Sequence, residues 1–275
     1  MTPPFEAFFL AVGGGQRLCI HHPPRGAVRA AVLYVHPFAE EMNKSRRMAA
    51  LQSRQLADAG CAVLQIDLHG CGDSSGDFGD ATWAGWIDDL IAAAAWLRQH
   101  HAAPLLLWGL RAGCLLATEA ARRLESPSHF LFWQPPASGK VLLQQFLRLK
   151  MAGQLEAGSA KGVTEALRQA LRSGDAPEIA GYTLHPALAS GLEAATLQPP
   201  PGGTAAKLLW IEVTNRQPPA LSPAAEAAPA LWQPAGFQVS SLAVAGPAFW
   251  QTTEIEEAPA LLQASVDAVC NAFPT

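Results

Sequence analysis

The sequence has no apolar run approaching the roughly 18–20 residues that a membrane-spanning helix needs, so a membrane span is not expected. Basic clusters are lacking too. Lysine and arginine number 19 against 23 aspartates and glutamates, a net charge of −4, and the cations are scattered, which argues against a nucleic-acid footprint. Charged residues of both signs reach only 15% while apolar residues reach 49%, so a sizeable core is available and disorder is not indicated. No Cys-x-x-Cys pair occurs. The cysteines at 19, 61, 71, 114 and 270 are odd in number and widely spaced, so neither a disulfide framework nor a zinc site is suggested. No cofactor or metal is expected. Residues 1–10 lack a basic segment followed by an apolar one, and the expectation is a soluble cytoplasmic protein. The 275 residues suit one large α/β unit with an insertion.

Residues 5–12, the glycines at 13, 14 and 15, and residues 17–22 predict a β-hairpin, the glycines supplying positive φ in the turn. Residues 30–35 are a continuous apolar run, as expected of a strand buried on both faces. A polar loop at 36–43 leads to a helical pattern over 47–59, closed by Gly60. Strand 62–67, a glycine-rich loop over 68–80, helix 83–100, strand 105–108, a turn at 109–113, a helix to 124 and strand 129–133 follow. This alternation implies a mostly parallel sheet with right-handed crossovers. From 139 to 203 the grammar changes to amphipathic helices at 141–155, 163–171 and 186–195, with no strand candidate and a proline-rich linker at 199–203. The reading is a core of residues 1–138 and 204–275 with a helical cap, 139–203. Strands resume at 207–213 and 237–244; 218–229 reads as a loop and 259–273 as the closing helix.

Gly109-Leu110-Arg111-Ala112-Gly113 lies between a buried strand and a helix, where an α/β-hydrolase carries its G-x-S-x-G nucleophile elbow. The middle residue here is Arg111. Val35-His36-Pro37-Phe38 resembles the start of the superfamily's oxyanion loop, and residues 67–76 resemble its D-x-x-G-x-G-x-S loop. A helical insertion after strand 129–133 is where such enzymes carry a cap. The resemblance covers essentially the whole chain and implies an α/β-hydrolase fold. Four segments resemble one branch, the exosortase A system-associated hydrolases of the hydrolase 2 type. They are the run from His36, Pro37, Phe38, Ala39, Glu40 and Glu41 to Arg47, the Gly-Leu-Arg elbow, Phe132-Trp133-Gln134-Pro135, and residues 249–255. That resemblance implies a bacterial setting of exopolysaccharide and PEP-CTERM sorting clusters.

Acyl transfer on this fold needs a nucleophile, a histidine after the last strand and an acid that orients it. A guanidinium stays protonated and cannot attack a carbonyl. The loop 245–254 holds no histidine, since all eight lie at or before His185, and the segment after Val213 offers no aspartate. Cys114, at the first turn of the next helix, could gain reactivity from the dipole, but a buried free cysteine is the favoured reading. His36 and His69 end strands at the edge where open α/β folds bind ligands; His36 either holds its loop or acts catalytically. Ser74 and Ser75 read as turn residues. The charged run 40–47 is either a solvated helix start or places a glutamate opposite Arg111. Phe249 and Trp250 stand where the histidine belongs and could plug a cavity, while Glu254, Glu256 and Glu257 read as the first turn of the last helix.

Three functions stay open. One is a pseudoenzyme binding a small anionic or saccharide-related ligand, or a protein partner, through Arg111, Ala112, His36, Phe38, Ala39, Glu40, Glu41 and Trp250. Another is a hydrolase with an unorthodox site around His36, Glu40, Glu41 and Arg111. The last is an interaction protein with a filled pocket. A cation beside a helix N-terminus needs an anion, so Arg111 is expected to pair with Glu40 or Glu41 or to hold an anionic ligand.

Overall fold

The computed structural model describes residues 5–152, 160–201 and 205–274. Strands β1 (Glu6–Val12) and β2 (Gly15–His22) form the expected hairpin, with Gly13 and Gly14 at φ 59° and 79° in its turn. There follow β3 (Ala30–Val35), α1 (Glu40–Asp58), β4 (Cys61–Ile66), α2 (Trp83–His100), β5 (Leu105–Leu110), α3 (Ala112–Ala121) and β6 (His129–Trp133). An insertion then carries α4 (Gly139–Ala152), α5 (Ala160–Ser173), a short pair β7 (Glu178–Ile179) and β8 (Tyr182–Thr183), and α6 (Pro186–Ala194). Finally β9 (Ala206–Thr214), α7 (Pro223–Trp232), β10 (Phe237–Ala245) and α8 (Pro259–Ala272) complete the core.

The eight long strands make one sheet in the order β1-β2-β4-β3-β5-β6-β9-β10. Only β1–β2 and β2–β4 pair antiparallel; every other neighbour is parallel. The apolar runs explain the placement. Along β3, Ala31, Leu33 and Val35 face the layer of α2 and α3, while Ala30, Val32 and Tyr34 face the layer of α1 and α8. Both rows are buried. Burying each large apolar side chain is worth about 1.5–3 kcal/mol, so the middle strands could not sit at an edge without losing most of that gain.

Several sequence expectations shift. Helix α1 starts at Glu40, not Arg47, because Met42, Ser45, Met48 and Ala49 already form its buried stripe. Residues 218–229, read as loop, include the first seven residues of α7: Ser222 caps it by accepting the Ala225 N–H and Pro223 occupies its first turn, while the internal Pro229 disguised it. The insertion does contain strands, a two-residue pair turned by Ala180 and Gly181. Helix α3 stops at Ala121 rather than 124, and Glu254, Glu256 and Glu257 precede α8 rather than open it. Parts of the 141–155 helix and of the 199–203 linker lie outside the described residues. Among the described residues no helix is long and apolar enough to cross a membrane.

The hairpin is tied down by histidines. His21 Nε2 lies 3.0 Å from His101 Nε2, just past the end of α2, and His21 packs edge-on against Trp96. Burial first, and His101 second, push the His21 imidazole down from 6.5 to about 4, with Glu6 pulling weakly the other way. His36, His101 and His129 are lowered too, each mainly by burial. The His21 imidazole therefore binds fewer protons folded than unfolded, and its contribution to stability falls as pH drops from about 6.5 to 4, while Glu40, Glu41 and Asp89, raised by burial, pull the balance the other way. Urea unfolding of the protein and of His21→Gln at pH 7.5, 6 and 4.5 isolates the His21 part: relative to pH 7.5, the variant should be favoured over the parent at pH 4.5.

Candidate functional site

At the end of β5 the chain turns into α3 through Arg111, whose backbone sits at φ 55°, ψ −117°, a conformation strained for a residue with a Cβ. The two flanking glycines make the turn sterically available. A Cβ on Gly109 would lie 2.6 Å from the Cys114 nitrogen, and one on Gly113 would lie 2.1 Å from the Val35 carbonyl oxygen. Helix α3 thus starts in backbone contact with two strand ends. On the neighbouring strand the same turn occurs a second time: Ala39, at φ 50°, ψ −124°, leads from the segment after β3 into α1. The two elbows sit side by side because β3 and β5 are adjacent. They bring the first turn of α1 opposite Arg111.

Arg111 Nη2 and Nε donate to Glu41 Oε1 at 3.1 and 3.2 Å, and Nε also reaches Oε2 at 3.4 Å. Nη2 donates further to Gln145 Oε1 of α4 at 2.8 Å. The guanidinium carbon lies 5.7 Å from the centre of the Trp250 ring, a cation–π contact. Both charged side chains are nearly buried, 10% and 12% exposed. The expected pairing of Arg111 with a glutamate of the 40–41 pair is realised by Glu41. Burial nevertheless pushes the Glu41 carboxyl above its ordinary range, outweighing the opposing pull of Arg111. For a buried pair of this kind, desolvation of the two charges offsets much of their attraction.

Other candidates fall elsewhere. His36 is buried, with Nδ1 donating to the Pro37 carbonyl at 2.8 Å and Nε2 accepting the Leu68 N–H at 3.4 Å, so it braces two strand ends. The His69 N–H donates to Asp89, which also accepts from Arg17 Nε at 2.7 Å. Cys114 is fully buried and its thiol is raised by that burial, as the structural reading expects. Ser74 Oγ donates to the Asp67 carbonyl and accepts the Leu18 N–H, so it stitches its loop to β2. Phe249 packs on Trp133 in the core, and Trp250 occupies the place topology would give a histidine. Glu257 pairs with Arg47.

A cavity of about 310 Å³ opens beside the ion pair, between α1 and the insertion. Phe38, Leu142, Phe146 and Leu149 form its apolar side. Glu40, Glu41, Lys44, Gln145 and Gln251 form its polar side. Of the eight residues expected at a ligand site, Phe38, Glu40 and Glu41 line it. Arg111 is held behind Glu41 and Gln145, and His36, Ala39, Ala112 and Trp250 are buried outside its lining. Sequence reasoning missed Gln145, whose only signal is a polar position on an amphipathic helix. It also missed Glu212, which is buried and accepts from Trp210 Nε1 and from the Ser222 N–H and hydroxyl, fixing the loop that leads to α7.

A strand–turn–helix elbow at the edge of this sheet, with the β2 reversal and the helical insertion after β6, defines an α/β-hydrolase fold. The chain belongs to the family described as serine aminopeptidase, S33, whose model matches residues 26–197. The human protein ABHD12B is 35% identical over 95 residues, which are 34% of this chain and 25% of that protein, so the match spans about a quarter of the relative. Among solved structures, Est1E from Butyrivibrio proteoclasticus superposes with a TM-score of 0.63 at 16% identity, covering 96% of this chain and 97% of its own. XC6422 from Xanthomonas campestris, an α/β serine hydrolase without a lid, gives 0.57 at 16% identity, covering 100% and 98%. These likenesses concern the fold.

Removing one partner of the buried pair strands the other. Glu41→Ala should cost about 3–5 kcal/mol, whereas the double change Glu41→Leu with Arg111→Met should cost far less or be neutral. Denaturant unfolding of the two variants checks this. Equal losses in the single and double variants would show that the ion pair is not the coupling.

Proposed function

We propose that this chain is a catalytically silent member of its family, a pseudoenzyme that binds a small molecule in the cavity beneath the insertion, residues 139–203, acting as a cap. The observation that carries this reading is the elbow residue. A hydrolase places a nucleophile there, and here the position holds a guanidinium whose Nε and Nη2 are engaged by Glu41 and Gln145. The base position is filled by Trp250 against that guanidinium. The rival site built on His36 loses its base, because both ring nitrogens of His36 are engaged by backbone groups. A pure interaction protein with a plugged pocket is disfavoured as well, since Phe249 and Trp250 are buried beside the cavity rather than in it. A directly bound anion is not needed to balance Arg111. The resemblance of residues 36–47 and 249–255 to the exosortase A system-associated branch suggests an exopolysaccharide or PEP-CTERM setting, in which a saccharide-related ligand or a protein partner remains a natural candidate.

Labelling with an active-site fluorophosphonate should not exceed that of a heat-denatured control. Arg111→Ser alone should not create esterase activity, because general-base assistance contributes about 10²–10⁴-fold and Trp250 stands where the histidine base would. Acyl-enzyme formation in that variant, seen by intact mass after incubation with p-nitrophenyl acetate, would overturn the reading.

A further inference from the structure

The polar side of the cavity is richer in free donors than in free acceptors. Glu41 is turned to Arg111, and so is the Gln145 side-chain carbonyl, which leaves the Gln145 NH2 as the group still to be matched. Glu40 is turned back on its own helix: its carboxyl accepts the Glu40 N–H, and its Oε2 is closed off from solvent. Lys44 stands one helical turn further along α1. Its Nζ donates to the Gln251 carbonyl at 3.4 Å, a long contact that uses one of three N–H groups, and it forms no ion pair among the described residues. The remaining walls are Phe38, Leu142, Phe146 and Leu149. Residues from α1, α4 and the segment after β10 thus bring a cation and an amide to the border of an apolar cavity.

We propose that the cavity takes a small organic carboxylate, its head group accepting from Lys44 Nζ and the Gln145 NH2 and its apolar body lying against Phe38, Leu142, Phe146 and Leu149. This rests on the ligand-binding reading above and adds the ligand's chemical class and its anchor. The anchor is Lys44 rather than Arg111, whose Nε and Nη2 are already engaged. An ionised carboxylate offers acceptors only, which is what a wall of unspent donors requires. A charge-assisted bond is roughly twice as strong as a neutral one, so the acid outranks an alcohol of the same shape. An ammonium of that shape would bring more donors and a like charge to Lys44. The glutamates do not reverse this order: the Glu41 charge is met by Arg111 at 3.1 Å, and that of Glu40 lies at the N-terminus of α1, where the helix dipole offsets it. Because Lys44 is only half-buried, the ligand's charge enters without the full cost of desolvation. The volume of about 310 Å³ lies at the low end of small-molecule sites, which restricts the body to fragment size.

Hexanoate, 1-hexanol and hexylammonium differ only in the head group, and each can be titrated into the full chain by calorimetry at pH 7. Hexanoate should bind about tenfold tighter than 1-hexanol, and hexylammonium should bind weakest. Lys44→Gln should bring hexanoate down to the level of 1-hexanol, and Leu149→Trp, which fills the apolar side, should weaken both. Equal affinities, tighter binding of hexylammonium, a hexanoate preference that survives Lys44→Gln, or affinities untouched by Leu149→Trp would overturn the assignment of a carboxylate to this cavity. Each of those results would still leave a chain that binds small molecules. Failure of all three probes to bind would overturn the ligand-binding reading along with the assignment. Whether the elbow is silent is decided separately, by fluorophosphonate labelling.

Discussion

The organisation of the strand-end edge depends on one buried ion pair. Arg111 stands on a turn whose strain is fixed by two glycines, and a permanent cation there is tolerable only because Glu41 faces it from the parallel elbow of α1. The same guanidinium reaches Gln145 and stacks over Trp250. One side chain therefore joins α1, α3, the insertion and the segment after β10. In the enzymes of this fold that point is where a reaction is centred. In this chain it also joins these elements of the fold.

The elbows share a backbone conformation but serve different ends. At Ala39 the turn aims a helix start that carries Glu40 and Glu41, and acids at a helix N-terminus are favoured by its dipole. At Arg111 the turn places a cation at the N-terminus of α3, which that dipole disfavours. The first arrangement offsets the second across the gap between β3 and β5. This is why the acid had to come from a neighbouring helix rather than from α3 itself, whose first turn contains no acidic residue.

The sheet was legible in the sequence because parallel strands buried on both faces leave uninterrupted apolar runs such as 30–35 and 105–108, and the elbow because its two glycines stand where the Cys114 and Val35 backbones leave no room for a Cβ. The partner of Arg111 was narrowed to two adjacent glutamates by topology, and only coordinates separated them. Other features left weaker traces. The first turns of α1 are crowded with charge that hides the stripe of Met42, Ser45 and Met48, and α7 carries a proline in its middle. Gln145 and Gln251 join the site through tertiary packing of segments far apart in the chain, for which no local pattern exists.

The turns beyond the strands are hydrogen-bonded across the sheet: the Arg111 N–H donates to the Trp133 carbonyl at 3.0 Å and the Gln134 N–H to the Ile211 carbonyl at 3.0 Å. The ladder thus continues past the last strand residues, through the elbow itself. Backbone amides so placed open only with the core, whereas segments held by a few side-chain contacts open far more often. The strand-end edge behind the ion pair is accordingly secured by backbone hydrogen bonds as well as by side chains. The insertion meets that edge through the hydrogen bond from Arg111 to Gln145.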